Sequence, residues 1–409
     1  MEYNYIVYFE LSSGSYRVWN SATEAITTCF TLPDKISKFY MSGKQYTATD
    51  EDLVRYGKDL FSATEELKTS KHFYFDYIKP DLISKGEKRG EYYFKSHTSN
   101  IESIFKIKCK GKYEKHEPID LTEYKWFEKS YNGGLIYTDK GVFDCYGYDF
   151  SNYYASILAS DEFKIPTKPG TERKIEKLYN KIKFGFYLVS IGCGHPDFNK
   201  VFNYSPNDVY TSSSLKFALE HQEEYNVNIN LITDVDKNCY IYDLKDLVSG
   251  SKIFTPWYDT IIGLKREFPK NMLIKMLSSS LWGHLSKSNI INRTEEEVEK
   301  LGLKIGMTDK SDYIIKDEII NEEGETLYFK LLNTKNPYKF NLRLKPFLTS
   351  FGRAKTGKIA LFDIENVIRI HTDGIIFNHP VDFNVHNFIP EEKTTGEIEF
   401  FNINNYKKL

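Results

Sequence analysis

The chain has 409 residues, with 55 Lys and Arg against 57 Asp and Glu and a net charge of −2. That length accommodates two or three domains of roughly 100 to 200 residues each. The charge balance neither advertises nor excludes nucleic-acid binding, which needs only a local basic stripe, and it fits a polymerase and a bland soluble protein alike. No run of 18 apolar residues occurs, and no basic segment followed by an apolar core opens the chain, so neither a membrane span nor a signal peptide is expected. Five scattered cysteines without a C-x-x-C pair read as reduced thiols, which points to the cytoplasm, the host's if the chain is viral. Frequent Lys, Asn and Ile, with 31 Tyr and 29 Phe, suit an A+T-rich genome.

In chain order, Tyr5-Ile6-Val7-Tyr8-Phe9 reads as a strand and Thr49 to Tyr56 as a helix capped by Thr49, while Lys85 to Gly90 reads as a solvated turn. Paired glycines in Tyr131-Asn132-Gly133-Gly134 allow a hairpin turn or a close backbone approach. The β-favouring run from Val142 to Tyr148 delivers Asp149 at its end. Phe184 to Ile191 is a further strand. Cys193 and His195 make half a zinc ligand set with no second pair nearby. Ser212 to Tyr225 is an amphipathic helix with a serine cap and an apolar face of Leu215, Phe217, Ala218 and Leu219.

A helical hairpin begins at Trp257, breaks at Phe268-Pro269 and resumes from Asn271 to Leu285, with Pro269 opening its second arm. Asn289 to Tyr338 is a charged β insertion with a turn at Asn321 to Gly324. Phe347 to Leu361 forms a helix, Val367 to Ile370 a strand leading to Asp373, and Gly396 to Phe401 part of a final hairpin. Asp149 and Asp373 thus both sit at strand ends. Side by side, such strands create one metal site, as nucleotidyl transfer requires when two divalent cations about 4 Å apart hold the attacking and leaving oxygens.

Three ordered segments carry a resemblance to the family B DNA polymerases. Asp149-Phe150-Ser151-Asn152-Tyr153-Tyr154-Ala155-Ser156 resembles the first palm motif, D-x-x-S-L-Y-P-S. Lys275 to Gly283 (K-M-L-S-S-S-L-W-G) resembles the fingers motif K-x-x-x-N-S-x-Y-G, with Ser279 and Trp282 replacing Asn and Tyr. On a helix Lys275, Ser279 and Trp282 share one face. His371-Thr372-Asp373-Gly374 resembles Y-x-D-T-D-S, retaining its second aspartate. Tyr131 to Gly134 resembles the family's Y-x-G-G segment, and Phe347 to Arg353 its palm helix. Two blocks between the motifs point to the protein-primed branch.

The resemblance implies an α+β fold: a right-hand palm of antiparallel sheet with helices, helical-hairpin fingers, two insertions and a small N-terminal α/β region. Its domains are expected at 1–128 (a reduced exonuclease-like region), 129–165 and 341–409 (palm), 166–256 (first insertion), 257–286 (fingers) and 287–340 (second insertion), without a thumb. It implies metal binding at Asp149, Phe150 and Asp373, with the two aspartates catalytic and Mg²⁺, or Mn²⁺ favoured by His371, as the ion. Nucleotide contacts are implied at Tyr154, Lys275, Ser279, Trp282, Gly283, Lys265 and Lys270, and DNA contacts at Tyr131, Gly133, Gly134 and Thr372. Partners would be DNA template and primer, dNTP and a terminal priming protein, with no membrane. A degenerate, non-catalytic DNA-binding replication scaffold is the alternative. A nuclease lacks its Asp-x-Glu cluster here.

Overall fold

The computed structural model describes residues 5–10, 15–20, 25–29, 39–41, 97–179, 181–267, 272–304, 312–383 and 391–409. The readings at Thr49 to Tyr56, Lys85 to Gly90, Pro269 and Lys270 lie outside the described residues. The chain divides into two compact units, residues 1–110 with 256–284, and residues 111–255 with 285–409.

The first unit opens with strands β1 (Tyr5–Glu10), β2 (Ser15–Asn20), β3 (Ala25–Cys29) and β4 (Phe39–Met41), in the sheet order β3-β2-β1-β4. The first three strands run antiparallel, and β4 joins β1 in parallel. Helix α1 (His97–Lys108) follows and buries Ile101, Ile104 and Phe105, three residues at helical spacing.

The second unit begins with α2 (Leu121–Ser130), capped by the Asp120 carboxylate accepting the Glu123 N–H at 2.7 Å. Strands β5 (Ile136–Thr138) and β6 (Gly141–Asp149) lead into the short helix α3 (Tyr153–Leu158). Then come β7 (Lys164–Pro166), β8 (Thr171–Arg173), β9 (Gly185–Gly192), α4 (Pro196–Val201), β10 (Val209–Thr211), α5 (Ser212–Glu220), α6 (Gln222–Tyr225), β11 (Asn228–Leu231), β12 (Cys239–Ile241) and β13 (Leu247–Ser249). Strands β10, β9, β12 and β8 form a sheet, with β11 also on β9, and β13 pairs β7.

The expected serine cap at 212 is corrected. Thr211 ends β10 in an extended conformation, so its hydroxyl can accept the Ser214 N–H, whereas Ser212 is already helical. The helix also breaks at His221 before its last turn. The helical arm expected from Trp257 starts earlier, as α7 (Gly250–Glu267), and carries Pro256 inside. Gly250 is required there because a Cβ would lie 2.1 Å from the Leu158 carbonyl oxygen. Helix α8 (Met272–Leu285) is the second arm.

Beyond it, β14 (Ile290–Arg293), α9 (Glu295–Lys300), β15 (Tyr313–Ile320) and β16 (Thr326–Asn333) form the charged insertion as a three-stranded sheet, with Thr294 and Glu297 making a capping box. Helix α10 (Lys345–Ala360) precedes β17 (Val367–His371), β18 (Gly374–Phe377), β19 (Glu391–Asn402) and β20 (Asn405–Lys408). These last strands join β5 and β6 in one six-stranded sheet, β20-β19-β6-β18-β17-β5, antiparallel at every pair. The fold is therefore the expected mixture of helices and antiparallel sheet.

Helix α10 packs against α2, α3, α4 and α5. It buries Phe347, Leu348, Gly352, Arg353, Thr356 and Ala360, and Phe347 stacks on Phe186 with centroids 4.8 Å apart. Just ahead of α10, Arg343 grips Glu123 with Nε and Nη2 at 2.7 and 2.9 Å, and both residues are fully buried. Among the described residues no helix is long and apolar enough to cross a membrane.

Candidate active site

The pairing of β6 with β18 sets Asp149 directly opposite Gly374. Strands β17 and β18 are joined by a tight hairpin in which His371 pairs with Gly374, leaving Thr372 and Asp373 as its two corner residues. Asp149 and Asp373 therefore stand at adjoining strand ends, and the backbone ties them. The Phe150 N–H donates to the Asp373 carbonyl at 3.1 Å. A Cβ on residue 374 would lie 3.7 Å from Asp149 Oδ1, so the carboxylate reaches over the backbone next to Asp373.

Thr372 has φ 62°, a left-handed conformation that a β-branched residue rarely adopts and that costs about 1 to 3 kcal/mol. Its surroundings fix it. The Thr372 N–H donates to the Leu135 carbonyl at 2.8 Å, and the Thr356 hydroxyl donates to the Thr372 carbonyl at 2.9 Å. Tyr153 supports Thr356 from below, its hydroxyl lying 2.8 Å from Thr356 Oγ1 and donating to the Gly352 carbonyl at 2.7 Å.

The loop 131–134 packs against this corner. A Cβ on Gly134 would fall 2.4 Å from Thr372 Oγ1, whereas one on Gly133 would meet nothing within 4 Å. The second glycine thus admits the hairpin that carries Asp373. Arg353, on the buried side of α10, donates from Nη1 to the Asn132 and Gly133 carbonyls at 2.8 and 2.6 Å, and Asn203 donates to the Gly134 carbonyl at 3.0 Å. Burial pulls the Arg353 guanidinium down to about 10, opposed by Tyr154 and Tyr131.

Of the residues singled out in the sequence, Asp149, Phe150, Tyr154, Tyr131, Gly133, Gly134, Thr372 and Asp373 all fall in the second unit, on β6, its following turn, helix α3, the 131–134 loop or the β17–β18 hairpin. The Phe150 ring is buried and stacked on Tyr153, so only its backbone is available to a ligand. Tyr154 is half-buried with its ring against Gly352. Burial raises its hydroxyl to about 12, with Arg353 pulling the other way and Asp373 adding to the rise. Lys275, Ser279, Trp282 and Gly283 belong to the first unit. There Lys275, Ser279 and Gly283 are exposed and Trp282 half-buried, on the side of α8 away from buried Leu277, Leu281 and Leu285. Lys265 is half-buried near the end of α7.

Arg353, Thr356 and Asn203 were not legible as site residues. The one trace was Gly352-Arg353 directly after the apolar residues Phe347, Leu348 and Phe351 of the helix, where a buried guanidinium demands acceptors.

The donor set suits a hard cation. Two carboxylates at neighbouring strand ends match Mg²⁺, which keeps several waters and takes one or two carboxylates together with substrate phosphates. Among the described residues no group of three or more His, Cys, Asp or Glu could hold a metal ion by itself.

The described mixture of antiparallel sheet and packed helices has a DNA polymerase-like fold by its similarity to solved structures. Solved structures similar to the chain are those of phi29 DNA polymerase, a protein-primed family B polymerase. Its ternary complex with primer-template DNA and incoming nucleotide matches with a TM-score of 0.53 and 14% identity, over 88% of this chain and 61% of that one. The post-translocation binary complex matches at 0.54 and 14%, over 92% and 62%. The complex with single-stranded DNA matches at 0.53 and 13%, over 88% and 60%. The chain therefore spans about three fifths of the length of these polymerase chains. No protein-family model and no curated protein matches the sequence.

Proposed function

We propose that the chain is a template-directed DNA polymerase that adds dNMP to a primer 3′-hydroxyl, or to a protein hydroxyl at initiation, in viral or plasmid DNA replication. The observation that carries this reading is the juxtaposition of Asp149 with the Asp373 hairpin inside a polymerase-like fold. In this reading residues 129–165 and 341–409 are palm, 257–286 fingers, and 166–256 and 287–340 the two insertions.

Asp149 and Asp373 would hold Mg²⁺ or Mn²⁺, with the Phe150 backbone beside them. Divalent cations, when bound, lower the pKa of the attacking hydroxyl and neutralise charge on the α-phosphate and the departing pyrophosphate. The oxygen attacks the α-phosphorus in line, one P–O bond forms, and the bond to pyrophosphate breaks. Lys275 neutralises triphosphate charge, assisted by Lys265 and Lys270. Trp282 stacks beside the nascent base pair, with Ser279 and Gly283 on the same helix. The Tyr154 ring clashes with a 2′-hydroxyl and so favours deoxynucleotides. Tyr131, Gly133, Gly134 and Thr372 contact DNA. A non-catalytic DNA-binding scaffold is the second reading, favoured by His371 in place of the family's first aspartate and by Ser279 and Trp282.

Primer extension on a short DNA template with Mg²⁺ and then Mn²⁺, comparing the chain with Asp373→Asn, separates the two. Extension at least about 10³-fold lower in the variant, with an unchanged circular dichroism spectrum, is expected. A variant that extends like the parent would sink the assignment, and DNA binding without extension by either protein would favour the scaffold.

A further inference from the structure

Away from the carboxylate pair, the second unit gathers two lysines around a single acid. Lys345, the first residue of α10, places Nζ 3.8 Å from the centre of the Tyr131 ring and 3.9 Å from Glu128 Oε1. Lys316, from β15, binds Glu128 Oε2 at 2.8 Å, donates to the Tyr124 hydroxyl and covers the Tyr124 ring. Glu128 also accepts from the Tyr338 hydroxyl at 3.3 Å. One carboxylate therefore faces two ammonium groups, and its close partner is Lys316.

Lys345 is left in an unusual position. Its side chain is only 25% exposed, yet among the described residues no oxygen accepts a hydrogen bond from Nζ; a ring face and a carboxylate beyond hydrogen-bond reach are its neighbours. A cation at the start of a helix also opposes the helix dipole, and Leu344 gives α10 no side-chain cap. Burial, followed by the like charge of Lys316, shifts the ammonium below the ordinary lysine range against the pull of Glu128. Three unfavourable terms at one partly buried group are relieved together by a single anion bearing several acceptor oxygens. On the same loop, the space beside Gly133 is open and the backbone is clamped by Arg353.

We infer that Lys345, held on Tyr131 and balanced through Glu128 against Lys316, is a seat for a backbone phosphate of bound nucleic acid. The inference rests on the polymerase reading for its ligand, an extended polyanion, but uses none of the catalytic residues. Glu128 acts as a positioning residue, holding Lys316 and limiting repulsion between the two lysines.

The test is fluorescence anisotropy of a labelled primer–template duplex across a salt series, with the full chain, Lys345→Met and Lys345→Arg. Methionine keeps the stem on the ring and removes the charge. Arginine keeps the charge and controls for folding. Lys345→Met is expected to weaken binding about 5- to 10-fold and to flatten the dependence of log K on log salt by about 0.7 to 0.9, while Lys345→Arg retains both. Equal affinity and slope for the parent and Lys345→Met would overturn the seat and leave the polymerase reading standing. A raised KM for dNTP in primer extension with unchanged duplex affinity would move the phosphate to the nucleotide and also overturn it. Absence of salt-dependent duplex binding by the parent would remove the polymerase reading itself.

Discussion

Arg343 and Arg353 flank the first half of α10, both buried, and the fold treats them in opposite ways. Arg343 meets a carboxylate and spends its remaining donors on the Glu117, Pro118 and Asn341 carbonyls, while Tyr242 donates to the same Glu123. Among the described residues Arg353 meets only the carbonyls of Asn132 and Gly133, and no carboxylate is among the groups acting on it. A neutralised pair fastens segments together and carries no net charge. An arginine held by carbonyls keeps its positive charge, here under the loop that abuts the Asp373 hairpin. The difference teaches that burial alone does not tell a structural arginine from one placed to influence a site; the partner does.

The largest effect that would test this contrast is on stability. Arg343→Met leaves Glu123 buried without its cation and is expected to cost about 3 to 5 kcal/mol in denaturant unfolding. Arg353→Met should cost less, about 2 kcal/mol from orphaned carbonyls, yet reduce primer extension more per folded molecule. If the two variants lose stability and activity in the same proportion, the distinction fails.

His116 sharpens the Arg343 side. Burial, and then the Arg343 cation, lower its imidazole to about 4 against an ordinary 6.5. The unfolded chain therefore binds the extra proton between those values, so this stability is complete above about pH 6.5 and is lost as pH falls toward 4. Roughly 2 to 3 kcal/mol rides on that window. His116→Gln should flatten unfolding free energy against pH between 4 and 6.5, and an unchanged slope would show that His116 does not titrate there.

On the Arg353 side, Gly134→Ala drives a methyl into Thr372 and is expected to cost roughly 1 to 2 kcal/mol and to slow extension by displacing the Asp373 corner. Gly133→Ala, with open space around it, should stay within about 0.5 kcal/mol. Equal thermal shifts for the two alanine variants would mean that the loop does not support the hairpin.

These pairs also mark what the sequence made legible. The β-run ending at Asp149, the strand before Asp373 and the helix beginning near Phe347 announced themselves through local composition and period, and each formed within a few residues of its expected span. The insertion hairpin appeared at its turn residues, where the Gly324 N–H donates to the Asn321 carbonyl. The carboxylate pair was legible because two strand ends carried the same chemistry. The arginine contacts were not, because Arg343 with Glu123 and Arg353 with Gly133 join residues far apart in sequence and leave no periodic trace. Gly134 looked like a turn glycine, although its role is to make room for Thr372. The Thr211 cap was missed for a smaller reason: three consecutive serines follow it, and only the backbone angle distinguishes the residue outside the helix from those inside.

The strand order of the large sheet has a consequence for how the protein is made. Strand β6 lies between β18 and β19, so both its hydrogen-bonding edges are closed by segments synthesised long after it. At roughly 5 to 20 residues per second, a ribosome needs roughly 10 to 45 s to reach them. Throughout that interval a nascent strand stands with two unpaired edges, the kind of surface that recruits other chains. Pairings this distant close slowly. Biogenesis of this fold therefore depends on shielding the nascent chain, and yield from cells should respond to chaperone supply and growth temperature before it responds to any single side chain.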